Sequence, residues 1–597
     1  MMKVKELLAT IVLAILLPSC SSGPSDEQLR QEAVQQANTI YAEYFDGLNE
    51  FNPLRSTFMG MSDYNDQFIP EITAENRAKR QQFEQQFLSR INAIDPQLLT
   101  GQHRLTYDIF VRDRQVALEG YQFPDFLLPI DQMSGIHNLI AQLGSGQSAQ
   151  PFNTVQDFRN FMARARGYIR WIKSAQVAMQ EGVERDVVLP EIVVKKLLPQ
   201  FEYHIVDDIT ESLYYSPLKN SSLSEPELAQ IEAEYTRFIA TEIIPSYQQM
   251  YDFLLAEYLP KSRQSVGLSE LTDGSAWYEY QIKVNTTLEY SAKELHELGK
   301  QEVARILAEM TAVKEQVGFA GDLTAFFEHL RTDERYYFTN TDEMVAAYDS
   351  IRTKINSLTP KLFNVFPKAD YEVRLVEPFR AASSAGASYQ APSMDGSRPG
   401  IFYINGYNLK AQPKFLMETL SIHEASPGHH FQVSLQQEIT DIPNFRRFGG
   451  YTVFAEGWAL YAESLGKELG LFTDPYMWYG RLVDEQLRAM RLVVDTGLHA
   501  FGWTREVAIN YMLENSSMNE TDVIAEVERY IVIPGQALSY KVGEFKIREL
   551  RNYAAEQLGD KFDVREFHSQ ILTDGAMPMT ILDSKIKQWV NSLATSK

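Results

Sequence analysis

A chain of 597 residues, 44% of them apolar, can bury a large core, and its net charge of −23 excludes a nucleic-acid binder, which needs concentrated Lys and Arg against phosphate. With 32 glycines and 25 prolines it has few turn punctuators for its length, so long helices are expected over many short strands. No G-x-S-x-G elbow, P-loop, G-x-G-x-x-G or C-x-x-C occurs, which leaves serine-hydrolase, nucleotide and redox chemistry without a foothold.

Residues 1–19 read as a signal peptide. Lys3 and Lys5 precede an apolar run from Leu7 to Leu17, and Leu17-Pro18-Ser19-Cys20 follows at once. Cys20, the single cysteine, sits where a lipobox places the residue to be acylated, so the stretch resembles a bacterial lipoprotein signal with an unusual Pro18. An ordinary signal peptide cut elsewhere is the competing reading. On the lipoprotein reading, residues 20–25 are a lipidated tether whose partner is a bilayer. Ser21 after the cysteine then resembles the signal for outer-membrane sorting, with the body facing the periplasm. The later sequence has no run of about 18 uninterrupted apolar residues that could span a membrane.

From Asp26 the chain reads as helix after helix, and 26–380 is expected to be an N-terminal helical region. Three starts carry a capping box, Thr154/Asp157, Ser224/Glu227 and Ser291/Glu294, in which a hydroxyl and an acid cap each other's backbone donors. The last opens an amphipathic pattern through Leu295, Leu298, Ile306, Met310, Val313 and Val317. Residues 381–400, AASSAGASYQAPSMDGSRPG, are small and flexible and read as a long loop. GIFYIN (400–405) reads as a short strand ended by Asn405-Gly406, and a helix is expected from about Pro413. That strand fits either an edge that pairs with an extended peptide or a plain structural hairpin. Residues 381–597 are expected to form the metal-site region of the same unit. The predicted class is mainly α, a large helical body with a small β element beside the active-site helix.

Three of the ten histidines fall within His423-Glu424-Ala425-Ser426-Pro427-Gly428-His429-His430. Two imidazoles beside a carboxylate are what a zinc site uses, the nitrogens binding the ion and the acid handling a proton. In H-E-x-x-H the histidines stand one turn apart, but here position i+4 is Pro427. On an unbroken helix His429 would sit about 120° away from His423, and His430 about 10 Å further along. Pro427 and Gly428 are expected to break the helix and swing His429 back toward His423. The third ligand is expected from Glu456, in the apolar stretch FAEGWALYAE, where an acid is costly to bury unless paired or bound to a cation. Glu463, seven residues on, shares its face and reads as a supporting group.

These stretches, with VVDTGLH (493–499) and PGQALSYKVG (534–543), resemble the bacterial family called domain of unknown function 885, often found as lipoproteins. That family is thought to be related to the mainly helical zincins, such as neurolysin-type oligopeptidases and thermostable carboxypeptidases. The resemblance implies one Zn2+ held by His423, His429 and Glu456, with Glu424 as the base that activates water. It implies a tyrosine that stabilises the oxyanion, which falls on Tyr540 and next on Tyr530. The implied activity is hydrolysis of short peptides in the cell envelope. A metal-dependent amidase on cell-wall fragments and a non-catalytic lipid-anchored metal or peptide binder are the alternatives. Asp495 fits either orienting a ligand imidazole or capping a turn with Thr496. His499 reads more as a core histidine than a ligand, and His430 as a neighbour of the site. Arg548 and Arg551 fit either gripping a substrate carboxylate or a solvated helix face. The oligomeric state is not legible.

Overall fold

In the computed structural model, the residues described are 25–133, 135–377, 381, 385–392 and 398–595. The Cys20 lipidation reading lies outside them.

The chain is mainly helical with one small sheet. All three predicted capping boxes form, at the starts of the Val155–Glu184, Glu225–Phe238 and Ala292–Gln316 helices. In each, the acid accepts a hydrogen bond from the cap residue's N–H, as Glu294 does from Ser291 at 2.9 Å. The Ala292–Gln316 helix buries Leu295, Ile306, Met310 and Val313, the stripe its periodicity predicts. That stripe packs along the Pro475–Ala500 helix, which is buried over most of its length.

Two large apolar clusters fill the body, and the Pro475–Ala500 helix feeds both: Leu482, Met490, Val493 and Val494 join one, Leu492 the other. The second cluster also holds the Thr452–Ser464 and Ser539–Leu558 helices, which cross with backbones touching. A Cβ on Gly457 would lie 2.4 Å from the Cα of Gly543. No larger residue fits at either position without prising the helices apart. Among the described residues, no helix is long and apolar enough to cross a membrane.

The sheet has the order β1-β3-β2, with β1 Tyr371–Leu375, β2 Ala387–Gln390 and β3 Gly400–Ile404. β3 is the expected strand, and all five of its residues are buried, as an unbroken apolar run requires. Its placement corrects the edge reading: β1 pairs with it in parallel and β2 antiparallel, so both sides are taken. The stretch read as one long loop contains β2, whose composition (Ala, Ser, Tyr, Gln) carries one strong β-former and so hid it. Tyr389 ties β2 to the site-bearing helices, its hydroxyl 3.0 Å from His430 Nδ1.

Candidate metal centre

The chain enters the site through Met417–Leu420 and a wide, π-type turn at Ser421–Ala425, which carries His423 and Glu424. There the helix ends: Ser426 is extended (φ −117°, ψ 132°), and a new helix, His429–Glu438, starts after Gly428. A Cβ on Gly428 would fall 2.0 Å from the His423 carbonyl oxygen and 2.2 Å from that of Ile422. Glycine is what lets the chain double back this closely. Trp458 fixes the reversal, its indole N–H donating to the Pro427 carbonyl at 2.8 Å. The break predicted at Pro427-Gly428 is therefore present, and it turns His429, not His430, toward His423.

The two imidazoles meet edge to face with ring centroids 4.7 Å apart. Glu456, from the Thr452–Ser464 helix, closes the triangle: its Oε2 lies 3.4 Å from His423 Nε2 and 3.4 Å from His429 Nε2. That oxygen is buried and makes no hydrogen bond. An orphaned carboxylate oxygen facing two ring nitrogens is costly unless something positive sits between them. Zinc–ligand bonds of about 2.0–2.1 Å in tetrahedral array set their donor atoms about 3.4 Å apart. Both edges to Glu456 have that length, and all three donors lie within 4.8 Å of one another. The donor set has the chemistry, and on its two Glu456 edges the spacing, of a site for one zinc ion.

The electrostatics favours positive charge, which a proton on His423 supplies unless an ion displaces it. Burial disfavours a charged His423, yet contact with the Glu456 and Glu463 carboxylates overrides it and holds the imidazole well above its ordinary pKa. Burial likewise pushes Glu456 up, but His429 and His423 override it and keep the carboxyl well below the usual range. The pocket selects positive charge.

Glu463 is fully buried about two turns along the same helix face from Glu456. Its Oε1 lies 2.7 Å from His423 Nδ1, and its Oε2 accepts the Thr419 hydroxyl at 2.8 Å. A carboxylate on Nδ1 fixes the tautomer that presents Nε2 to an ion and raises its basicity. Glu463→Gln is therefore expected to weaken zinc binding about 10–100-fold with the fold intact. Competition against a chelating dye measures this, and unchanged affinity would remove Glu463 from that role.

The other predicted residues are placed elsewhere or are engaged. His430 points to the sheet: its Nε2 meets the Ala369 carbonyl at 3.1 Å, its Nδ1 meets Tyr389, and burial takes its pKa down to about 4. His499 is a core histidine, accepting the Leu268 N–H at Nδ1 (3.2 Å) and donating from Nε2 to the Tyr530 carbonyl (2.9 Å). Tyr530 is buried in an ion-pair cluster, donating to Glu526 at 2.5 Å and accepting from Arg491 at 3.1 Å. Arg551 makes a two-pronged pair with Glu468 (2.8 and 2.7 Å), and Arg548 pairs with the buried Glu544. Tyr540 is half-buried, its ring 4.4 Å from the Arg491 guanidinium carbon, and its hydroxyl makes no hydrogen bond with a described residue. Glu424 is half-buried beside His423 and likewise makes none.

Asp495 orients no imidazole. It accepts the Tyr278 hydroxyl at 2.5 Å and the Gly535 N–H at 3.0 Å, pinning the 534–536 turn. Burial pushes its pKa up to about 7 despite those two bonds. The folded protein thus holds this proton more tightly than the unfolded chain, whose Asp titrates near pH ~3.9. The group's contribution is fully present below pH ~4 and is lost on the order of 1.4 kcal/mol per pH unit as pH rises toward 7. Asp495→Asn is expected to flatten that part of the profile. Urea unfolding of both proteins at pH 5 and pH 7.5 tests it, and parallel profiles would refute it.

Sequence reasoning passed over Arg488, Arg491 and Thr419. Two arginines one turn apart in the otherwise apolar stretch LRAMRLVV (487–494) were the available signal for the first two.

A helical body that folds two histidines and a half-buried glutamate around one point defines a mainly α protein with a candidate cation site. The sequence profile described as "Bacterial protein of unknown function (DUF885)" matches residues 53–586, and the chain belongs to that family. No curated protein matches it. Among solved structures, it is similar to a candidate lipoprotein from Colwellia psychrerythraea, at TM-score 0.84 and 27% identity over 94% of this chain and 99% of that one. A candidate lipoprotein of unknown function from Shewanella oneidensis shares the fold at TM-score 0.70 and 18% identity, over 94% and 99%. A candidate oligoendopeptidase F from Bacillus anthracis str. Ames aligns at TM-score 0.25 and 10% identity, over 85% and 96%, which is too low to bear on this chain.

Proposed function

We propose that this protein is a zinc-dependent metallopeptidase that hydrolyses short peptides in the cell envelope. The observation that carries the reading is the orphaned Glu456 oxygen, equidistant at 3.4 Å from two imidazole Nε2 atoms. His423, His429 and Glu456 would hold the ion. Bound there, zinc supplies a Lewis acid for a substrate carbonyl and lowers the pKa of water. Glu463 orients His423 and keeps its Nδ1 proton in place. Glu424 is the general base: it is next to His423 and accepts no hydrogen bond from a described residue. It takes a proton from the attacking water and returns it to the leaving amine. Tyr540, with a hydroxyl free of described partners, is the donor proposed for the oxyanion.

Anchoring through acylated Cys20 at the outer membrane, with the body in the periplasm, is part of the proposal. The sequence at 17–21 supports it, as do the two structural relatives described as candidate lipoproteins.

Protein purified without added zinc should carry equimolar metal and cleave members of a mixed peptide library. Chelation should stop cleavage and zinc should restore it. Cleavage confined to cell-wall fragments would make the enzyme an amidase. Equimolar zinc with no turnover on any amide would leave a lipid-anchored binding protein, and absence of metal affinity would end the enzymatic reading.

A further inference from the structure

We propose that Arg488 and Arg491 form a carboxylate-binding subsite beside the metal cluster, so that the substrate is a peptide held by its free C-terminal carboxylate. The inference rests on the peptidase reading and deepens it.

The two arginines stand one turn apart on the buried Pro475–Ala500 helix, and their guanidinium carbons lie 5.9 and 4.4 Å from the Tyr540 ring centroid. Arg488 also lies within electrostatic reach of Glu463, the carboxylate on His423. Electrostatic attraction between Arg488 and Glu463, and the shared Tyr540 ring, thus relate the pair to the carboxylate that holds His423.

Their donors are under-used. Among the described residues Arg488 hydrogen-bonds with Asp484 alone, on its own helix, through Nη1, and its Nε is buried with no partner. Arg491 pairs with Glu526 at 2.8 Å and with Tyr530, leaving Nη1 buried and unpartnered. The side chains are 11% and 6% exposed. Buried guanidinium N–H groups without a hydrogen-bond partner also occur at Arg114, Arg352, Arg446 and Arg481, so what singles this pair out is the convergence of both groups on the Tyr540 ring. Asp484 and Glu526 balance the charge of the pair, so what the site offers an incoming anion is geometry rather than excess charge. Guanidinium forks take a carboxylate with two parallel N–H···O bonds, and Tyr540 holds the two forks against one ring. Arg548 and Arg551 lack this capacity, being spent on Glu544 and Glu468.

An acidic side chain offers the same chemistry as a C-terminus, and matched peptides separate the two. The zinc-loaded protein would be assayed on one peptide sequence as the free acid, as the C-terminal amide, and as an amide with a Glu near its end. We expect kcat/KM for the free acid to exceed that for either amide about 100-fold, mostly through KM. Arg488→Gln should shrink that ratio to within about threefold, and Arg488→Lys should restore part of it. Equal cleavage of free acid and amide by the native protein would overturn the subsite while leaving the peptidase reading intact. Preference for the Glu-bearing amide would overturn the C-terminal assignment. If no peptide is cleaved, the peptidase reading fails, and calorimetric binding of free acid against amide still decides the subsite. The native comparison needs no variant, so misfolding of Arg488→Gln does not block the test.

Discussion

Glu424→Gln is expected to lose at least about a thousandfold in kcat while still binding equimolar zinc, the upper part of the range for removing a positioned general base. Elimination among the neighbouring acids leaves Glu424. Glu456 faces both imidazoles, and Glu463 is committed to His423 and Thr419. Glu424 sits on the same turn as His423, half-buried, and accepts no hydrogen bond from a described residue. A carboxylate with no structural work can be neutralised at little cost to the fold, so the substitution isolates chemistry from stability. Metal analysis and a peptide assay on one preparation decide the matter. Cleavage that persists strips Glu424 of its role, and loss of zinc would make it a ligand instead.

The features legible in the sequence are those set by near neighbours along the chain. Capping boxes need residues three apart, and all three formed. GIFYI was readable because a fully buried strand is a continuous apolar run. The reversal at Pro427-Gly428 was readable because proline ends a helix and glycine tolerates the close approach that follows. Those two local facts were enough to choose His429 over His430. What stayed hidden depends on partners far along the chain. β2 is stabilised by pairing with β3 and by Tyr389 meeting His430, not by its own composition. Asp495 reads as a helper to a histidine, yet its partners are Tyr278 and Gly535, each at least 40 residues away. Arg551 looks available until Glu468, 83 residues upstream, is seen to hold it. Arginines 488 and 491 stand out only once the fold sets both guanidinium groups against Tyr540.

Glu485→Gln is expected to destabilise the fold by about 3–5 kcal/mol, the range for breaking a buried ion pair by removing one partner. Glu485 is fully buried on the Pro475–Ala500 helix and is ringed by three cations. Its Oε1 accepts from Lys541 Nζ and from Arg305 Nη2, both at 2.6 Å, and its Oε2 accepts from Arg481. Burial alone would push the carboxyl's pKa up, but Arg481, Lys541 and Arg305 hold it well below the usual range. Glutamine keeps the shape, removes the charge and turns an NH2 toward a cation. Lys541 would retain Glu544 (2.6 Å) and Glu302 (3.2 Å), whereas Arg481 would lose its short partner and keep only Glu544 at 3.9 Å. Because Glu485, Lys541 and Arg481 are buried, most of the loss should persist in 1 M salt, where the Debye length is about 3 Å. Arg551→Ala, which opens the partly exposed pair with Glu468, should cost no more than about 1 kcal/mol, and less as salt rises. Urea midpoints for both variants at low and high salt separate the cases. A Glu485→Gln protein within 1 kcal/mol of the native one would mean that the surrounding cations already reach water or one another's acids. The Pro475–Ala500 helix would then be held by its apolar face alone, and the placement of Arg488 and Arg491 beside the metal ligands would owe nothing to the charges behind them.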